Sequence, residues 1–428
     1  MLRRFPTPPG GAPFRRALAA TVLAALAGCA APPPVVPLPD DASLASRCER
    51  AYAALDAEVD AAGVRDAEAT RVPGFPAVRV TRFLASFAAP TLPEATFAAW
   101  HARLAAEDRR ARRVEIANLP PAPTARVRET LAREGFALLP PDAFLEGCGT
   151  TLAQRDAADR TRRGRLLDVA RVPDDYDDTA RALGLYPLSR LAFAAGVQAY
   201  ERRVVEAFAS PRSPLRPVAY TPDATVPLAP DAVRALLARA AQDPLGVPAL
   251  DEAEVDALLA TFAPVLVVDE RSDDDRIGRP VLDDAGRIGF APVPVVFGRV
   301  AHARFAGATH VQLVYTTWFP ARTPAYPGDP LAGTLDAVMW RVTLDRDGAP
   351  LVYDAIHGCG CYSLFVPTAR VTARPRDASL DEQALVPATL PLHDATRRVA
   401  VRLDAGTHQV RAVQLADERA PAAVRYRL

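Results

Sequence analysis

The spacing of apolar residues in this 428-residue chain changes near Thr261, and this change limits the folds that the chain can adopt. Before that residue, apolar side chains recur every three or four positions, which is the period of amphipathic helices. After it, short alternating apolar runs are separated by turn signals, of which Asp347-Gly348 is the clearest. We therefore predict an α+β protein, with a mainly helical domain at 43–261 and a mostly antiparallel, sandwich-like β domain at 262–428.

The first predicted helix shows the clearest apolar stripe. The stripe consists of Leu44, Cys48, Tyr52, Leu55 and Val59. Gly63 is expected to end the helix. Similar patterns predict a helix that begins near Pro93, one that ends at Gly135, a long one over about 187–208, and shorter ones at 230–241 and 251–262.

The first residues have the pattern of a bacterial lipoprotein signal. Four arginines precede an uncharged apolar run at 17–27, which is too short to cross a bilayer as a helix. The run ends in Leu26-Ala27-Gly28-Cys29, a lipobox. We predict a cleaved signal peptide at 1–28, a lipidated Cys29, and a proline-rich tether at 29–42. The alternative is an ordinary secretory signal with an incidental cysteine.

Lipidation of Cys29 would make the membrane a partner of this protein, because two or more acyl chains hold a protein stably on a bilayer. The residue after Cys29 is Ala30 and not the aspartate that commonly retains lipoproteins at the inner membrane. The predicted location is therefore the periplasmic face of the outer membrane.

Composition excludes several functional classes. The formal charges cancel, so electrostatics does not point to a nucleic-acid partner. The chain has no lysine, which excludes a Schiff base with pyridoxal phosphate and a P-loop lysine. An acidic run at 269–275 lacks the alternating ligands of a calcium loop, so we predict a solvated loop there.

Cys48 and Cys148 are the predicted disulfide pair. Cys48 lies on the apolar stripe of the first helix, and Cys148 lies in Glu146-Gly147-Cys148-Gly149, which we interpret as a flexible turn. An exported chain meets an oxidising compartment, which favours the bond. The alternative is that both are unpaired cysteines at apolar sites.

One segment has the residue types of a chemical site, His357-Gly358-Cys359-Gly360-Cys361. If the strand stays extended past Ile356, then His357, Cys359 and Cys361 share one face. One imidazole and two thiolates suit zinc or copper(I), although nothing in the sequence requires a cofactor. A fourth ligand would come from His310, His393 or His408. The alternatives are two small buried thiols or a C-x-C disulfide.

Aromatic and basic residues cluster in the same predicted domain. Trp318, Arg322 and Arg341 are candidate contacts for a small anionic ligand, because arginine and aromatic side chains are frequent in ligand sites. Core packing for the tryptophan and surface salt bridges for the arginines explain the same residues without a ligand.

Two resemblances to known families accompany these patterns. Most of the mature chain resembles an uncharacterised family of lipoproteins from high-GC proteobacteria, on the strings RVPGFPAVRVTRFLASF, RVPDDYDDTARALGLYPLSRLAFAAGV, YTTWFPAR and WRVTLDRDGAPLVYDAIHGCGCYSLF. That resemblance implies an envelope location and a two-part body, with no activity. His357-Gly358-Cys359 is also similar to the core of L,D-transpeptidases, but Ile356 stands in place of the serine and Cys361 in the place of the arginine.

The sequence leaves two functional hypotheses open. The first is a periplasm-facing lipoprotein that binds an envelope protein or small ligand, or maintains the envelope. The second is a metal- or thiol-dependent hydrolase or transferase that uses His357, Cys359 and Cys361.

Overall fold

The computed structural model has an α+β fold, as predicted, with helices in the N-terminal part and a five-stranded antiparallel sheet in the C-terminal part. It describes residues 43–428 except 90, 174–178, 180–182, 185, 211–212, 224–225, 284–286, 325–326, 330, 375–383 and 417–423. The predicted signal peptide, Cys29 and the proline-rich tether lie outside the described residues. None of the helices in the described part has the length and apolar character needed to span a bilayer.

Nine α-helices are described: α1 Leu44–Ala62, α2 Arg82–Ala85, α3 Glu94–Asn118, α4 Pro121–Arg133, α5 Pro141–Ala158, α6 Arg160–Val169, α7 Tyr186–Ala209, α8 Pro230–Arg239 and α9 Glu252–Phe262. The described strands are β1 Thr70–Val72, β2 Phe75–Val80, β3 Pro217–Pro222, β4 Val265–Asp269, β5 Arg279–Leu282, β6 Ile288–Ala291, β7 Val296–Phe305, β8 Ala308–Arg322, β9 Gly333–Leu344, β10 Pro350–His357, β11 Leu364–Pro367, β12 Val399–Leu403, β13 Val410–Leu415 and β14 Val424–Tyr426.

The chain forms two compact units, and the division falls between Val172 and Pro173. Among the described residues, the first unit comprises those of 43–91 and of 101–172, and the second comprises those of 92–100 and of 173–428. In the sequence, by contrast, the spacing of apolar residues changes near Thr261. The two positions differ because β3, which precedes Thr261, pairs with β4 and β14 inside a sheet of the second unit.

The core of the first unit is built around α1. Four members of its predicted apolar stripe, from Cys48 to Val59, are buried, whereas Leu44 at the first turn is exposed. Gly63 ends the helix in the left-handed conformation, with φ of 68°. Cys48 lies on this stripe at disulfide distance from Cys148, with 5.3 Å between their Cα atoms. The predicted flexible turn around Cys148 is wrong, because Cys148 is buried within α5. Both glycines beside Cys148 belong to that helix.

A buried ion network in the same unit connects β2 with α3. The guanidinium of Arg79 lies 3.1 Å from a carboxylate oxygen of Asp108 and 2.7 Å from one of Glu115, and all three side chains are at most 1% exposed. Arg112 extends the network, since it lies 2.8 Å from both Asp108 and Asp56. Each buried charge therefore has a partner of opposite sign, as burial requires.

The second unit is a sandwich of two five-stranded sheets. One has the order β11-β10-β9-β8-β7 and is antiparallel throughout. The other has the order β13-β12-β4-β3-β14, in which β12–β4 and β14–β3 are parallel pairs. Apolar side chains of both sheets form one core, for example Tyr315 and Trp340 from the first and Leu266 and Val401 from the second. The hairpin predicted at Asp347-Gly348 joins β9 to β10.

Candidate functional site

The HGCGC segment lies at the end of β10, and the predicted extended conformation is wrong there. The strand ends at His357, and the chain then turns: the amide N–H of Gly360 donates to the carbonyl of His357, and that of His357 donates to the carbonyl of Cys361. His357 is consequently buried, whereas Cys359 and Cys361 are exposed thiols. The three side chains therefore do not share one face.

Two glycines make this turn sterically accessible. Gly360 has φ of 82°, in the left-handed region that favours glycine. The amide N–H of Gly358 donates to the carbonyl of Ala337 on β9 at 2.8 Å, and a Cβ atom at Gly358 would lie only 3.1 Å from the Cβ of Ala337. The turn is thus held closely against β9, and the two thiols project from a defined backbone.

Two carboxylates and two imidazoles alternate in a largely buried row that begins at His357, where β10 ends. Nδ1 of His357 lies 3.7 Å from one carboxylate oxygen of Asp336, which is longer than a hydrogen bond. The other oxygen of Asp336 lies 2.8 Å from Nδ1 of His408, whose Nε2 lies 3.4 Å from Asp275. We call these residues, Asp275, His408, Asp336 and His357, the acid–imidazole row.

The row joins four elements of the second unit, of which β10 supplies His357. Asp275 closes the turn after β4 and accepts from the amide N–H groups of Arg271, Ser272 and Gly406. Asp336 belongs to β9, and His408 belongs to the turn between β12 and β13. The His408 ring also stacks on Phe319 of β8, with 3.8 Å between ring centroids and 4° between planes. The row therefore connects the two sheets at one end of the sandwich.

The electrostatics of the row favour charged carboxylates and a protonated His408. Burial by itself would lower the pKa of His408, but its contacts with Asp275 and Asp336 outweigh burial and raise it. Burial likewise opposes ionisation of Asp336, yet its contacts with His357 and His408 lower its pKa. For Asp275, the contact with His408 and the hydrogen bonds from the backbone outweigh burial and lower the pKa to about 2.

Backbone strain is concentrated around this row. Four described residues other than glycine have positive φ, and three of them lie here: Leu335 at 63°, Tyr362 at 58° and His408 at 50°. Such a conformation costs of order 1 kcal/mol or more for a residue with a side chain, and it persists where surrounding contacts enforce it. Observed strain of this kind is typical of functional sites, and it marks this end of the sandwich as the candidate site.

Tyr362 connects the acid–imidazole row with Arg322 and α7. Its ring lies edge-on to His357, with 5.2 Å between centroids, and beside Tyr200 of α7 at 5.1 Å. The guanidinium carbon of Arg322 lies 5.1 Å from the Tyr362 ring centroid. Burial is the main reason that the pKa of Tyr200 is raised to about 12, with a smaller contribution from Tyr362.

The structure brings only some of the predicted site residues together. His408 and Arg322 lie at the candidate site, as described above. His310 lies far from His357 within the same sheet. Val338 of β9 pairs with His357 on one side and with Thr317 of β8 on the other. His310 precedes Thr317 by seven residues, which corresponds to roughly 23 Å along a strand. His310 instead lines a small cavity of about 30 Å³ and has Nδ1 3.0 Å from the carbonyl oxygen of Leu344.

The remaining candidates have structural partners. His393 is hydrogen-bonded to the hydroxyl of Tyr353 at 2.6 Å. Arg341 forms an ion pair with its cross-strand neighbour Asp354, a buried residue. Trp318 is half-buried on β8, and its carbonyl accepts from the amide N–H of Gly278. In the described part of the chain, no group of three or more histidine, cysteine or acidic side chains is placed to hold a metal ion.

Sequence reasoning missed Asp275 and Asp336. Asp275 belongs to the acidic run interpreted as a solvated loop, and that interpretation is wrong for Asp269 and Asp275, which are each 1% exposed. The three consecutive acids at 273–275 gave no sign of which one faces inward. Asp336 directly precedes the alternating apolar residues of β9. An aspartate at such a position is equally compatible with a solvent-exposed turn, so the sequence did not indicate that it contacts two histidines.

Comparisons with family models, with curated proteins and with solved structures gave no match.

Proposed function

We propose that this protein is a periplasm-facing lipoprotein of the outer membrane, anchored through Cys29, and related to the lipoprotein family that it resembles. The lipobox at residues 26–29 and the alanine that follows it support this location. The location supplies an oxidising compartment, in which exposed thiols exchange with disulfides.

We further propose that the second unit carries out dithiol–disulfide exchange through Cys359 and Cys361. The observation that carries this proposal is the exposure of two thiols, separated by one glycine, on a turn with a fixed backbone. By contrast, Cys48 and Cys148 are buried at disulfide distance in the core of the first unit. This proposal gives the envelope-maintenance role expected from the sequence a chemical form.

The exchange needs only a disulfide partner. A thiolate of the pair attacks one sulfur of the partner disulfide, so that a mixed disulfide forms and the other partner sulfur leaves as a thiolate, which takes up a proton. The second cysteine of the pair then attacks the mixed disulfide and releases the remaining partner sulfur. The pair is oxidised by two electrons, the partner is reduced by two, and the reverse sequence restores the dithiol.

The backbone geometry favours a reversible reaction. Cysteines separated by one residue form a small ring when they are joined, and strained or exposed disulfides are the ones that are readily reduced. The exposed position of both side chains gives access to a protein or small-molecule partner. The hydrogen bonds of Gly358 and Gly360 hold the turn in place during exchange.

The test uses the full chain, mildly reduced, and the neutral compound hydroxyethyl disulfide. The wild-type protein should form an intramolecular Cys359–Cys361 disulfide, identified by peptide mapping. The C361S or C359S variant should instead stop at a stable mixed disulfide, because the second attack is missing. The dependence on both cysteines distinguishes this exchange from acyl transfer, which would require only one of the two thiols. Failure of the wild-type protein to form the intramolecular disulfide would contradict the proposed exchange.

A further inference from the structure

Arg322 is a largely buried cation, and within the described residues its side chain hydrogen-bonds to Tyr362 and lies over the ring of the same residue. The residue is 8% exposed, and its Nη2 lies 3.4 Å from the hydroxyl oxygen of Tyr362. Its guanidinium carbon lies 5.1 Å from the centroid of the same ring. Across the described residues, no carboxylate forms an ion pair with Arg322.

Other arginines of the second unit that are largely buried have stronger acceptors. Arg402 lies 2.8 Å from a carboxylate oxygen of Asp269, and Arg341 pairs with Asp354. Arg398 donates to the carbonyl oxygens of Ala260 and Ala263. A guanidinium removed from water normally obtains such acceptors, because desolvation of an unpaired charge is costly. Arg322 thus retains unused capacity to bind an anion.

The position of Arg322 relates it to the dithiol turn. Tyr362, over which its guanidinium lies, follows Cys361 directly in the chain, and the same ring contacts His357. Tyr362 has a strained φ of 58°, and its side chain contacts both Arg322 and Tyr200 of α7. An anionic group held by Arg322 is therefore adjacent to the turn that carries both thiols.

We infer that Arg322 and Tyr362 form a carboxylate subsite beside the thiols, and that the exchange partner is a disulfide with a carboxylate close to its sulfur atoms. This inference rests on the proposed dithiol exchange. The planar guanidinium donates two parallel hydrogen bonds to a carboxylate, and the Tyr362 hydroxyl is placed to donate a third. The subsite holds the partner by its charge, and the sulfur chemistry stays with Cys359 and Cys361.

The test compares three small disulfides that differ in charge: dithiodiglycolate with two carboxylates, neutral hydroxyethyl disulfide, and cystamine with two ammonium groups. We measure the rate at which each oxidises the mildly reduced full chain. Dithiodiglycolate should react fastest relative to its intrinsic rate with a small thiol. In the R322Q variant, the rate with dithiodiglycolate should fall about tenfold relative to the rate with hydroxyethyl disulfide, which is the usual effect of losing one charge-assisted hydrogen-bonding partner.

The matched control is R397Q, which removes an exposed arginine of the same unit and should leave all three rates unchanged. A second measurement needs no variant: succinate, a dicarboxylate without sulfur, should slow the reaction of the wild-type protein with dithiodiglycolate but not with hydroxyethyl disulfide. Equal normalised rates for the three compounds, with no effect of succinate, would overturn the carboxylate subsite and leave the exchange proposal intact. Absence of reaction with all three would overturn both.

Discussion

Nδ1 of His408 lies 2.8 Å from a carboxylate oxygen of Asp336, and this contact joins the turn after β12 to the first part of β9. The opposite ring nitrogen faces Asp275 at 3.4 Å. An imidazole can donate from both nitrogens only when it is protonated. The two contacts therefore link the protonation of His408 to the packing of two turns against β9, at the end of the sandwich that carries the dithiol turn.

We predict that the second unit loses stability as the pH rises above neutral. The pKa of His408 is raised in the folded state, so its protonated form is preferentially stabilised by folding. The contribution is fully present below about pH 6.5, the ordinary value for histidine, and is lost as the pH rises through the higher folded pKa. The free energy of unfolding in urea, measured between about pH 5 and 9, should fall across this range.

The variant D336N supplies the comparison for this pH dependence. Without the Asp336 charge, the pKa of His408 should lie closer to its ordinary value, and the fall in stability should be smaller and occur at lower pH. An identical pH profile in the wild-type protein and in D336N would contradict the assignment of the effect to His408.

Removal of Arg79 should strongly destabilise the first unit. The R79L variant leaves Asp108 and Glu115 buried without their shared counter-ion, and breaking a buried pair in this way costs about 3–5 kcal/mol. The control R113L removes an exposed arginine that pairs with Asp142, and its effect should stay within about 1 kcal/mol. Urea unfolding of both variants measures the difference, and equal losses would argue against the buried network as the cause.

The Cys48–Cys148 bond should contribute to stability through the long loop that it closes. The two residues are 100 positions apart, and loss of such a bond typically costs roughly 2–5 kcal/mol. The double variant C48A/C148A should therefore unfold at lower urea concentration, whereas C359A/C361A should not. Peptide mapping of the non-reduced protein should find Cys48 joined to Cys148, and finding either one alkylated as a thiol would end this prediction.

Lipidation at Cys29 predicts where the protein is found in the cell. Wild-type protein should partition into the detergent phase and sediment with outer membranes, because acyl chains hold it on the bilayer. The C29A variant should remain an unlipidated precursor or be released as soluble protein. If C29A partitions with detergent as fully as wild type, the anchor is elsewhere.

The helices and the strands of the sandwich could be predicted from the sequence because their apolar residues follow the periods of 3.6 and 2. The stripe of α1 is an example, as is the Asp347-Gly348 hairpin. The α5 helix around Cys148 was missed because two glycines suggested a turn, while packing of Phe144, Leu145 and Leu152 in the core overrides that local preference.

The candidate site was harder to predict than the fold. The dithiol and His357 were visible as a motif, but the turn that separates them depends on contacts of Gly358 with β9, which sequence spacing does not reveal. The acid–imidazole row consists of residues from elements far apart in the chain. In the first unit, by contrast, Asp108, Arg112 and Glu115 recur at helical spacing on one face of α3, a signal that could have indicated the buried ion network.

An equilibrium redox titration tests the proposed dithiol chemistry most directly. The full chain is equilibrated in thiol–disulfide buffers of known potential, alkylated, and analysed by mass spectrometry for the peptide that contains Cys359 and Cys361. We predict that the two cysteines of that peptide are oxidised reversibly, with the loss of two hydrogen atoms. The midpoint potential should be less negative than about −300 mV, because structural disulfides typically have potentials more negative than that value. A peptide that stays fully reduced, or forms only links between molecules, at every potential would contradict the account.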